Sequence, residues 1–376
     1  MSAHSPSKAI VDLGSYAHNF ATVQALCGDK TGVVAIVKAN AYGHGAVPIA
    51  RAAVACGARM LGVATVDEGI ELRKGGIEAP ILVLFQPALD ALPAVVEHRL
   101  TLVIADVGIA EALGSIAHRA NRVVPVHCIV DTGMGRQGFA LERAPAEIQY
   151  LTRISNIDIE GIATHFPVAD RVDDAFTLEQ IRVFKQLLRT LEREGIPFDV
   201  AHAANSPGIV NYPTSHFDLV RPGLMSYGVW PSESPMPVGM LHPVLRWETR
   251  VVQVRELEPG SNVGYGRTYT APARMKAAIL PVGYADGYKH SLANKAEVLI
   301  RGQRCRVCGS VCMDQIVVDA TLVPEVHAGD TAVLIGTDGN DCITAAELAH
   351  LANTIPYEIL TGIGHRVPRE YVGAPA

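Results

Sequence analysis

The sequence predicts an α/β barrel of the (β/α)8, TIM type followed by a mostly-β domain, and two observations carry that reading. Over the first two-thirds, eight short apolar runs alternate with helix-sized segments, the pattern of buried parallel strands joined by crossover helices. Beyond about residue 235, strand-like runs follow one another across Gly, Pro and Asp turns, with no helix-sized gap before Ala345–Asn353.

The expected barrel strands are Val33–Val37, Leu61–Ala64, Ile81–Phe85, Leu102–Ala105, Pro125–Val130, Ile159–Ala163, Phe198–Ala201 and Phe217–Val220. Between them the apolar spacing turns helical, most clearly over Leu178–Glu194, where Ile181, Phe184, Leu187, Leu188 and Leu191 share one face. Gly195 and Pro197 stop that helix. A doubly wound open sheet is the alternative, since one strand more or fewer undoes closure. The second domain is expected to hold strands at Trp247–Leu257, Met275–Val282, Ala296–Ile300, Arg304–Val307, Gln315–Val318 and Thr331–Leu334. These runs predict a barrel over residues 1–237, with 1–12 able to join the β-domain, and a β-domain over 238–376.

Composition narrows the function. A 376-residue chain with 49% hydrophobic and 19% charged residues can bury a large core. Its net charge of -6 and lack of a basic run argue against nucleic acid or an anionic membrane as partner. No apolar run nears the roughly 18 residues that span a bilayer. The polar start, Met1 to Lys8, has no signal-peptide core, so a cytoplasmic location and reduced thiols are expected for the seven cysteines. Cys305, Cys308 and Cys312 fall short of the four ligands of a structural zinc site, and no metal is expected.

Barrel enzymes place their chemistry at the C-terminal ends of the strands. There this sequence puts Lys38, then Asp131-Thr132-Gly133-Met134-Gly135-Arg136, then His165, His202 with Ser206, and Arg221-Pro222-Gly223. Taken singly, each has an ordinary explanation: a snorkelling lysine, structural histidines, arginines paired to neighbouring carboxylates. Together, beside glycine-rich loops, they suggest a ligand site. A lysine after the apolar Ala35-Ile36-Val37 suits Schiff-base chemistry, because burial frees its amine as a nucleophile. Ser206, Tyr42 and the backbone of Gly223 and Leu224 are candidate phosphate binders. Pyridoxal phosphate and a sugar phosphate both fit that spacing.

Val37-Lys38-Ala39-Asn40-Ala41-Tyr42-Gly43-His44-Gly45, Gly264-Tyr265-Gly266 and Cys312-Met313-Asp314-Gln315 resemble the motifs of the alanine racemase family, fold-type III enzymes dependent on pyridoxal 5'-phosphate. The likeness runs from Ala9 to Glu358. It implies a homodimer whose β-domains complete each other's sites, and interconversion of L- and D-alanine by two bases. Lys38, which would also carry the cofactor, and Tyr265 from the other subunit would be that pair. By the same resemblance His165 would link Tyr265 to Arg221 at the pyridine nitrogen, and His202 would support Arg221. Tyr42, Ser206, Gly223, Leu224 and Tyr357 would hold the phosphate; Arg136 and the partner's Met313 would receive the substrate carboxylate. The family often carries a carbamylated lysine two residues before the Asp of DTGMGR; here that residue is Ile129, which implies looser positioning of Arg136. His290 and Ser310 stand where arginines often guard the entrance, while Tyr265, Tyr284, Ile355 and Tyr357 narrow the inner passage and favour small substrates. A serine or broad-specificity racemase is the nearest alternative. A fold-type III decarboxylase would not need Tyr265, and a pyridoxal-phosphate-binding carrier would not need the β-domain. Supply of D-alanine to the cell wall and a catabolic role fit these residues equally.

Overall fold

The computed structural model describes residues 5–232, 235–237 and 239–373. Two compact units divide the chain: residues 16–41 with 46–242, and residues 5–15 with 42–45 and 243–373.

The first unit is a closed barrel. Its strands are Gly32–Ile36, Met60–Val63, Ile81–Val83, Thr101–Ile104, Val124–Asp131, Ile157–Ala163, Val200–Asn205 and Leu219–Arg221, each parallel to its neighbours. Closure comes from the last strand pairing with the first, Leu219 opposite Gly32 and Val220 opposite Val33. Hydrophobic alternation is weak in these strands because both faces are covered, by barrel interior and by helices. The helix Ala175–Arg193 shows the converse pattern: Ile181, Phe184, Leu187, Leu188 and Leu191 are buried and the other face is solvated. Asp174 caps it by accepting a hydrogen bond from the Thr177 amide at 2.9 Å. Burying each such side chain contributes roughly 1.5–3 kcal/mol.

The strand ends shift by up to four residues from expectation, and the last two strands show why. The seventh strand runs on to Asn205, because barrel pairing holds the His202-Ala203-Ala204 segment extended without β-branched residues. The eighth begins at Leu219, since Phe217 takes a left-handed φ of 48° and turns the chain into the strand.

The second unit has a seven-stranded sheet in which Lys8–Asp12 lies between Leu245–Arg250, antiparallel, and Arg369–Val372, parallel. The run expected as one strand over Trp247–Leu257 is two, Leu245–Arg250 and Gln253–Leu257. The break has a cause in the hydrogen bonding: the Val251 amide donates to Asp330 and the Val252 amide to Ile279, so the chain passes from the large sheet to a three-stranded one. Two helices close the unit, Ala345–Ala352 and Pro356–Thr361. Among the described residues no helix is long and apolar enough to cross a membrane.

Candidate active site

The first strand delivers Lys38 into an unusual turn. Ala39, Asn40, Ala41 and Tyr42 all hold φ between 51° and 53°, a left-handed run that costs non-glycine residues roughly 1–2 kcal/mol each. Side chains and backbone brace it from three directions. The Glu68 carboxylate accepts the Ala39 amide at 2.6 Å, Asn40 Oδ1 accepts the Ala46 amide at 2.8 Å, and the Ala41 amide donates to the Val37 carbonyl at 2.8 Å. Glu68 is also the reciprocal partner in the capping box of the helix Val66–Lys74, where Thr65 is the N-cap. One carboxylate thus locks a helix start and the backbone beside the lysine. The Thr65-x-x-Glu68 spacing was the sequence signal for it.

Lys38 is half-buried, and burial, then Arg136 and Arg221, push its pKa below the ordinary lysine value, with Glu68 opposing. Its amine therefore keeps more of the uncharged, nucleophilic form at neutral pH. Its Nζ sits 5.3 Å from the centroid of the Phe85 ring, and the Arg136 guanidinium carbon sits 5.0 Å from the same centroid. Arg136 is presented by a loop wound around Asp131, whose carboxylate accepts the amides of Gly133, Met134 and Gly135 at 2.8–3.2 Å. Gly138 is required there: its φ is +153°, and a Cβ would meet the Asp131 nitrogen at 2.5 Å.

Arg221 ends the eighth strand, buried and held by four acceptors. Its guanidinium donates to the carbonyls of Thr164 at 2.7 Å and Ala203 at 2.9 Å, to His165 Nδ1 at 3.1 Å, and to His202 Nδ1. Because arginine has no acceptor, each Nδ1 must accept and each neutral ring carries its proton on Nε2. His202 Nε2 then donates to His127 Nδ1 at 2.7 Å, and His127 Nε2 donates to Glu160 at 3.3 Å. A directed chain, Arg221 to His202 to His127 to Glu160, links four neighbouring strands of the barrel. Room for it comes from Gly161, where a Cβ would lie 2.6 Å from His127 Nδ1. Burial and then the Arg221 charge keep both rings neutral: the pKa of His165 falls to about 3, and that of His202 well below the ordinary value. Arg221 itself drops to about 10 through burial, which leaves it charged at neutral pH. His165 retains its Nε2 proton for a partner outside this network.

A second group of atoms suits a phosphate. Ser206, at the end of the seventh strand, accepts the amides of Gly223 at 2.8 Å and Met225 at 3.3 Å. Leu224 opens the short turn Leu224–Tyr227, where an amide has no acceptor within the turn itself. The donor set fits pyridoxal phosphate: a nucleophilic lysine, a buried guanidinium that cannot easily give up its proton, and a hydroxyl with backbone amides.

Lys38, Arg136, His165, His202, Ser206, Arg221, Gly223 and Leu224 thus fall in the barrel unit. The other expected site residues, Tyr42, Tyr265, Met313 and Tyr357, belong to the second unit. There the Tyr42 and Tyr357 rings lie 5.8 Å apart. Tyr265 stands between Gly264 and Gly266, both at positive φ, and is 76% exposed. Ser310 pins the Tyr265 carbonyl at 2.9 Å, and the Met313 loop is held by the amides of Tyr284 and Ala285. Glu68, Phe85, His127 and Glu160 are the site residues that sequence reasoning missed; Phe85 closes the third expected run, and the strand itself stops at Val83, which leaves Phe85 at the rim.

Two family descriptions match the chain: "Alanine racemase, N-terminal domain" over residues 11–231 and "Alanine racemase, C-terminal domain" over residues 244–371. An alanine racemase of Halothermothrix orenii is 42% identical over 366 residues, 97% of each chain. A solved alanine racemase of Clostridium difficile 630 superposes with a TM-score of 0.94 at 32% identity, covering 99% of this chain and 97% of that one. One from Bartonella henselae, solved with covalently bound pyridoxal phosphate, gives 0.88 at 30% identity, covering 98% of this chain and 100% of that one.

Proposed function

Since the chain belongs to the alanine racemase family, we propose that it interconverts L- and D-alanine with pyridoxal phosphate, using Lys38 and Tyr265 as bases on opposite faces of Cα. The carrying observation is the Lys38 amine, its pKa lowered by burial and by Arg136 and Arg221, beside a guanidinium fixed by His165 and His202. Pyridoxal phosphate, when bound, withdraws electrons from the amino acid's Cα and acidifies its proton.

Lys38 holds the cofactor and moves a proton at Cα. Arg221 would hold the pyridine nitrogen; its permanent charge would let it donate a hydrogen bond there without delivering its proton. In the barrel unit Ser206, Gly223 and Leu224 would hold the phosphate, and Tyr42 and Tyr357 are the further phosphate ligands that membership of the family implies. Arg136, with Met313 of the other subunit, receives the substrate carboxylate. Tyr265 moves the proton on the opposite face. A free phenol titrates near pH 10 and is a weak base at neutral pH. The neutral His165, protonated on Nε2, answers that difficulty: it donates to the phenolate oxygen and stabilises the charged form.

The working unit is a homodimer, each barrel completed by the other subunit's Tyr265 and Met313. Exposure on the second unit supports this: Tyr265 is joined at the surface by Tyr284, Met313 and Ile355, large apolar side chains that a lone chain leaves in water. A cytoplasmic location agrees with the seven unbridged cysteines. Incubating the holoenzyme with L-alanine or L-serine in deuterated buffer, with chiral analysis, tests the substrate assignment. D-alanine carrying deuterium at Cα, formed much faster than D-serine, is expected. Faster serine turnover would overturn alanine as the substrate, and exchange without inversion would overturn the second base.

A further inference from the structure

Arg136 is exposed, and among the described residues no carboxylate pairs with its guanidinium. Asp131 is committed to the loop amides and fixes the backbone, not the arginine's long side chain. Ile129, on the neighbouring strand position, has only an aliphatic side chain to offer. A flexible arginine left this way would lose rotamer freedom each time it bound a carboxylate.

The Phe85 ring is what the guanidinium does meet, at 5.0 Å, with Lys38 Nζ 5.3 Å from the same ring. The Arg136 guanidinium lies inside the roughly 6 Å over which an aromatic face attracts positive charge. Phe85 follows the short strand Ile81–Val83 and is half-buried, so its ring is held by the barrel more firmly than a loop arginine can hold itself. We infer that Phe85 is a positioning residue for Arg136, whose π face pre-orients the guanidinium and thereby sets the affinity for the substrate carboxylate. The inference rests on the proposed role of Arg136 as the carboxylate receptor.

The test is propionate, a carboxylate without an amine, titrated into the holoenzyme and followed by the cofactor's absorbance, alongside kcat and KM for alanine. Phe85→Leu keeps an apolar side chain and removes the π face; its propionate affinity should fall about five- to tenfold. Its alanine KM should rise by more than kcat falls. Pentafluorophenylalanine at position 85 keeps the ring's shape and reverses its quadrupole, so it should weaken propionate in the same direction, whatever the leucine variant does to folding. Phe85→Tyr retains the π face and should stay within about twofold of the parent affinity. If the leucine and pentafluoro proteins bind propionate as the parent does while Arg136→Ala does not, the Phe85 assignment fails alone. If Arg136→Ala also binds propionate unchanged, the role given to Arg136 fails with it.

Discussion

Tyr265→Phe will abolish net racemisation while leaving proton exchange at Cα alive for one enantiomer. The two enantiomers are equal in energy, so any loss of overall rate must appear equally from both sides. The asymmetry shows only in exchange. With Lys38 intact, the enantiomer whose Cα proton faces the lysine still trades it for deuterium and returns with its configuration kept. The other enantiomer has lost its base and should exchange about 10²–10⁴ times more slowly than in the parent. The substitution removes one oxygen from a 76% exposed side chain on a loop shaped by Gly264 and Gly266, so the fold should not change. Mass and chiral analysis of each enantiomer after incubation in deuterated buffer reads this directly. Equal loss of exchange from both enantiomers would remove the two-base assignment.

Lys38→Ala has the second large effect, because one side chain carries two tasks. Covalent attachment of the cofactor and one of the two proton transfers disappear together, and activity should fall by at least about 10⁴-fold. Borohydride reduction should no longer fix cofactor mass to the protein. Arg221 and the Ser206–Gly223 grip remain, so the phosphate should still bind non-covalently. Cofactor fixed to the variant by borohydride would assign the linkage to another lysine.

The barrel was legible because its strands are short, apolar and bounded by helix signals, all of which are local. The lower rim of that legibility is His202-Ala203-Ala204, extended by its neighbours and not by its own preferences. The second unit was harder. Lys8–Asp12 pairs in parallel with Arg369–Val372, and no local pattern announces a partner at the far end of the chain. Likewise Val251 and Val252 look like the middle of one strand, and only their separate partners reveal two. At the site, Lys38, Arg136, His165, His202 and Arg221 could be read from their places after apolar runs. His127 and Glu160 could not: they lie within strands, and their role depends on which neighbour each ring nitrogen meets. Glu68 has a legible capping-box spacing with Thr65, but its bond to the Ala39 amide exists only once the first two strands lie side by side.

Lys38 of one subunit and Tyr265 of the other are proposed to form a single catalytic pair. Differently tagged Lys38→Ala and Tyr265→Phe chains, co-expressed and purified as the mixed dimer, test it most directly. One barrel of that dimer would combine both defects, and the other would keep Lys38 and receive an intact Tyr265 from its neighbour. About half of the parent activity is expected from two chains that are each inactive alone. A mixed dimer as inactive as either parent variant would contradict it, because then no site draws its two bases from different subunits.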